Sequence, residues 1–95
     1  MKTDYHKLDT QLLINMLYSR NVIHKCAAIC EVTRRNIHSS QAISILKALK
    51  TDESIFWNDY KTQDFAIATL DILKIEPYRG EKREVKRLIE SQLCF

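Results

Sequence analysis

The chain has 95 residues, with 15 Lys and Arg against 12 Asp and Glu and a formal net charge of +3. That length allows one domain around one modest core, and so mild and interspersed a charge excludes the concentrated cationic field of a dedicated nucleic-acid binder. One Gly and one Pro leave little material for the tight turns that sheets need, so a single all-α domain over residues 1–95 is expected.

A first helix is predicted over about residues 9–18, because Leu8, Leu12, Leu13, Met16 and Leu17 recur at helical spacing. Asp9 is its N-cap, since a carboxylate there accepts from the orphan amides of the first turn. Ser19-Arg20-Asn21 ends it, and Asn21 caps a second helix over about 22–35. In that helix Val22, Cys26, Ala28, Ile29, Val32 and Thr33 share one arc, while His24, Ala27, Glu31, Arg34 and Arg35 fall outside it.

Ser39 or Ser40 caps a third helix over about 41–50, with Ala42, Ile45, Leu46 and Leu49 inward. Residues 51–62 are the least regular stretch. They are polar at first and then carry Ile55, Phe56, Trp57 and Tyr60, which suggests a short helical turn pinned by aromatics. A fourth helix over about 63–75 is apolar nearly all round and belongs in the middle of a small bundle. Asp71 on that helix is a partly desolvated carboxylate that requires a Lys, an Arg or a helix-terminal amide as partner. Pro77 and Gly80 punctuate the following turn, and a fifth helix over about 81–92 turns Val85, Leu88, Ile89 and Leu93 inward.

The second and fourth helices repeat. At an offset of 38 residues Ala28 falls on Ala66, Ile29 on Ile67, Val32 on Leu70 and Ile37 on Ile75. Aligning the third helix on the first at an offset of 32 matches Ile45 to Leu13 and Leu49 to Leu17, and Val85 and Ile89 follow Ile45 and Leu49 at 40. The aromatic segment then reads as an insertion in the second repeat. Units of this kind stack because one helix pair cannot bury its apolar face alone.

The run Ser19-Arg20-Asn21-Val22-Ile23-His24-Lys25-Cys26-Ala27-Ala28-Ile29 and the run Asp64-Phe65-Ala66-Ile67-Ala68-Thr69-Leu70-Asp71-Ile72-Leu73 resemble the second helices of HEAT-like, armadillo-type repeats. The resemblance covers roughly residues 8–93 and implies a short right-handed α-solenoid of about two and a half helical hairpins with five main helices. The cation that usually enters the second helix is matched by Lys25, whereas Gln63 or Asp64 stands there in the next repeat. The family binds proteins, and sometimes nucleic acids, through a concave surface, so the resemblance implies a scaffold without identifying its ligand.

Candidate chemistry is sparse. Cys26 and Cys30 lie one turn apart near His24 and His38, but they fall on or beside the apolar arc and lack loop-borne zinc spacing. No metal, no cofactor and no catalytic residues are expected. Three cysteines cannot all pair within one chain, no apolar leader opens the sequence, and no apolar run approaches bilayer length. A cytoplasmic protein away from membranes is therefore expected.

The expected contact residues are Trp57 and Tyr60 of the aromatic insertion, Arg34 and Arg35 of the second helix, and Arg79, Lys82, Arg83 and Lys86 as a basic stripe along the fifth. Glu81, Glu84 and Glu90 alternate with those bases, so pairing along the helix would leave an ordinary solvated face. The expected function is non-catalytic binding of a protein partner of unknown identity. Homodimerisation through the Leu93-Cys94-Phe95 tail is a further expectation, and a small immunity or antitoxin-type protein or a nucleic-acid-binding module are the alternatives.

Overall fold

The structure, a computed structural model, describes residues 5–57 and 59–91, without the side chains of His6 and Trp57. Asn58 and the tail Leu93-Cys94-Phe95 lie outside these residues, and with them the expected tail-mediated dimer contact and inward Leu93.

After a 3-10 turn at Tyr5–Lys7, α1 spans Thr10–Met16, and the Asp9 carboxylate accepts from the Leu12 amide at 3.0 Å. Helix α2 spans Val22–Arg34, with the Asn21 side chain accepting from the amides of Ile23 at 2.9 Å and His24 at 3.4 Å. Helix α3 spans Ser40–Ala48 behind the Ser39 cap and runs into a 3-10 turn at Leu49–Thr51. Helix α4 spans Thr62–Ile72, and α5 spans Glu84–Ser91. The domain is therefore mostly helical, with five helices in a compact body of 32 × 29 × 24 Å.

The expected helical turn in 51–62 is instead a small antiparallel ladder. Strand β1 (Ile55–Trp57) pairs with β2 (Tyr60–Lys61), with a register shift between Ile55 and Trp57. Three consecutive β-branched or aromatic residues favour the extended chain over another helical turn, and the short polar link suits reversal. The ladder replaces only that turn, and the domain stays mostly helical.

This segment also starts α4. The Thr62 amide donates to the Ser54 carbonyl and the Gln63 amide to the Asp52 carbonyl, both at 2.9 Å, while the Asp64 carboxylate accepts from the Lys61 amide at 2.9 Å. The first amides of the helix thus find partners before its own ladder begins.

Helices α2 and α4 end alike. Asn36 and Lys74 adopt positive φ of 56° and 62°. Ile37 donates back to Val32 at 3.1 Å, and Ile75 to Leu70 at 2.8 Å. Both are Schellman closures with isoleucine as the apolar residue beyond the turn. The 38-residue match of Val32 with Leu70 and Ile37 with Ile75 therefore corresponds to one terminating motif used twice. It also ends α4 at Ile72 rather than near residue 75.

In space the two helices lie side by side and run the same way. Cys26 Sγ meets Thr62 Oγ1 at 3.8 Å, and two turns further on Thr33 Oγ1 meets Thr69 Oγ1 at 2.9 Å. Helix α1 packs on α2, α3 on α4, and α5 on α4. Ala28 and Ala66 are both fully buried, and neither lies on the β ladder. Leu13, Leu17, Ile29, Leu46, Phe65, Leu70 and Val85 fill the core, with Phe56 set edge-on against Phe65 at 5.3 Å. Helix α4, in contact with α2, α3, α5 and β2, is the central element that its apolar sequence predicts.

Candidate functional site

The expected basic stripe does not form along one helix. Helix α5 begins at Glu84, so Arg79, Lys82 and Arg83 belong to the turn before it, while Lys86 lies within it. Pro77 and the bends that follow delay the helix beyond the expected residue 81.

Two of the four bases, Lys82 and Lys86, pair away from their own segment. Lys82 Nζ sits 2.5 Å from Asp59 and 5.9 Å from the centre of the Tyr60 ring, and the Tyr60 hydroxyl donates to Glu84 at 3.4 Å. Hydrogen bonding to Asp59 raises the Lys82 pKa, and the same bond lowers that of Asp59. Burial, followed by the charge of Glu84, raises the phenol of Tyr60. Lys86 Nζ is 2.8 Å from Asp71, which supplies the basic partner that this carboxylate required. Arg83 lies over the Tyr78 ring at 5.6 Å.

Arg34 and Arg35 are held from below by Glu31, only 3% exposed. Arg34 Nε donates to one carboxylate oxygen at 2.8 Å and its Nη2 to the other at 2.5 Å. Arg35 Nε donates to the second oxygen at 2.7 Å, and its Nη2 donates to the Tyr5 carbonyl at 3.2 Å. Arg35 fastens the N-terminal turn onto α2. Tyr60 and Lys82 are thus brought together at the hairpin, and Arg34 and Arg35 elsewhere.

Three recesses were not anticipated from sequence. One, of about 400 Å³, lies between the end of α1 and α3 and has Leu17, Tyr18, Ile45, Ala48 and Leu49 among its walls. The ion pair of Lys25 on α2 with Asp52 beyond α3 also lines it. Tyr18 stands 66% exposed at this groove, and Leu12 and Ile23 of the first hairpin are each 52% exposed. The signal for Tyr18 was its place off the arc of Leu13, Met16 and Leu17. Its partners across the groove are too distant in sequence for local spacing to reveal.

The second recess, of about 550 Å³, is lined by Lys50, Thr51, Ile67, Glu76, Pro77 and Arg79. Lys50 Nζ reaches Glu76 at 2.8 Å across it. A smaller recess of about 250 Å³ adjoins it through shared Glu76 and Pro77 and adds Asp71, Lys74 and Ile75.

Cys26 is buried and Cys30 half-buried. Among the described residues no group of three or more His, Cys, Asp or Glu side chains is placed to hold a metal ion. His38 instead sets Nδ1 at 3.0 Å from the Asn36 carbonyl and Nε2 at 3.0 Å from that of Leu73, bridging the ends of α2 and α4. Among the described residues no helix is long and apolar enough to cross a membrane. Comparison of the chain with protein-family models, curated proteins and solved structures finds no match.

Proposed function

We propose that this chain is a non-catalytic, HEAT-like helical scaffold that docks a protein partner, with the groove beside Tyr18 as the contact. The observation that carries the reading is an exposed tyrosine at the mouth of a groove walled by Leu17, Ile45 and Leu49, where two packed hairpins meet. Aromatics with an apolar body and a polar tip are favoured anchors of protein interfaces, and seams between packed helices accept side chains. The repeat reading is supported by the matching closures of α2 and α4, their parallel packing, and the Lys25–Asp52 pair joining one hairpin to the next.

A nucleic-acid role for the basic turn draws less support, because Lys82 and Lys86 are engaged by Asp59 and Asp71. The test is affinity capture with wild type, Tyr18→Asp and Tyr60→Ala, each first shown by circular dichroism to melt like wild type. A protein retained by wild type and by Tyr60→Ala but lost with Tyr18→Asp is the expected result. Equal retention of every captured protein by Tyr18→Asp overturns the groove reading.

A further inference from the structure

The charge of this chain is unevenly placed. Around the two adjoining recesses at Glu76 and Pro77 stand Lys47, Lys50, Lys74, Arg79 and Lys86, while the carboxylates in their described lining are Asp71 and Glu76. Lys47, Lys50, Lys74 and Arg79 against Glu76 and Asp71 give this face a local excess of two positive charges before Lys86, which pairs with Asp71, is counted. The Lys50–Glu76 pair is about one-third exposed on each side, where an incoming carboxylate can compete for it. Glu76 is held below the ordinary carboxyl range by the Lys50 hydrogen bond first, with Lys47 and Arg79 adding to the field. Lys47, Lys74 and Arg79 are exposed, and among the described residues none of the three forms an ion pair.

The walls are not merely charged. Ile67 and Pro77 line the larger recess and Ile75 the smaller one. We infer that this face receives an acidic segment of the partner protein in which a carboxylate side chain is flanked by an apolar one. The carboxylate meets Lys50 and Arg79, and the apolar neighbour lies on Ile67 and Pro77. Charge complementarity favours this occupant over a nucleic-acid backbone, because Glu76 and Asp71 sit where a continuous run of phosphates would pass. The inference rests on the protein-binding reading and gives that partner a chemistry.

The probe is a synthetic peptide of alternating Glu-Glu-Leu units, titrated into the full 15N-labelled chain beside its Gln-Gln-Leu counterpart and a twelve-base-pair DNA duplex. The expected result is amide shifts at Lys50, Thr51, Glu76 and Arg79 with the acidic peptide alone, weakening as salt rises. The Lys50→Gln, Arg79→Gln double variant should bind it about tenfold more weakly, and Tyr18→Asp about as well as wild type. Absent shifts, equal shifts with the Gln peptide, or preference for the duplex each overturn the inference. If the Tyr18-dependent partner is still captured in that case, the acidic-segment assignment alone fails; if no partner is captured either, the protein-binding reading fails with it.

Discussion

Lys25 is a buried cation that depends on one carboxylate. Its ammonium is buried near the start of α2 and answers Asp52, whose carboxylate also accepts from the Ser54 amide at 2.9 Å. Burial alone would raise the Asp52 pKa, but the donors from Lys25 and Ser54 outweigh it and hold the carboxyl below its usual range. A depressed carboxyl stabilises the fold above its unfolded value of about pH 4, and that stability is lost as pH falls through the lower folded value. Lys25→Met should cost about 2 kcal/mol at pH 7, less than a fully enclosed pair because Asp52 keeps the Ser54 amide. Urea melts at pH 7 and at pH 3 check this, and the gap between wild type and variant should narrow in acid. The caps Asp9, Asn21 and Ser39 were legible in the sequence because each acts within three residues of itself. The partner of Lys25 lies 27 positions away, beyond any local pattern.

Helices were easier to recognise than the segments between them. Apolar spacing located all five, since burial of one face dictates the 3.6-residue period. Their ends depended on turn chemistry: the left-handed Lys74 shortens α4, and the stretch around Pro77 and Gly80 delays α5. The hairpin was missed because Ile55-Phe56-Trp57 offers too short an alternation to separate a strand from a turn. Lysine at positive φ is held against its preference, while glycine takes that conformation without steric cost. Lys74→Gly should therefore stabilise the protein by about 0.5 kcal/mol, after the greater freedom of glycine in the unfolded chain is deducted. A thermal melt should show a rise of about 3 °C, and a fall would mean that Lys74 contributes a contact stronger than its strain.

For the molecule as a unit, α4 decides cohesion, since α2, α3, α5 and the hairpin all pack on it. Phe65, fully buried and braced by Phe56, touches the strand side as well as the helical core. Phe65→Ala should cost about 3–5 kcal/mol, and far- and near-ultraviolet circular dichroism should lose signal in one coincident transition. Separate transitions would mean that the hairpins unfold independently. The site was less legible than the fold: Lys82 and Lys86 looked like free surface charge until distant carboxylates were seen to engage them, whereas Glu31 holds Arg34 and Arg35 from only three and four positions away.

The threonine pair between α2 and α4 has a kinetic consequence. Thr33 and Thr69 meet across 36 positions of chain, so the central seam cannot zip up from neighbours in the way a simple up-and-down bundle does. The intervening polypeptide must first close a long loop, and that entropic toll is collected before the seam returns anything. Refolding should accordingly be limited by this closure, with the first hairpin waiting, half-made, for its sister to arrive.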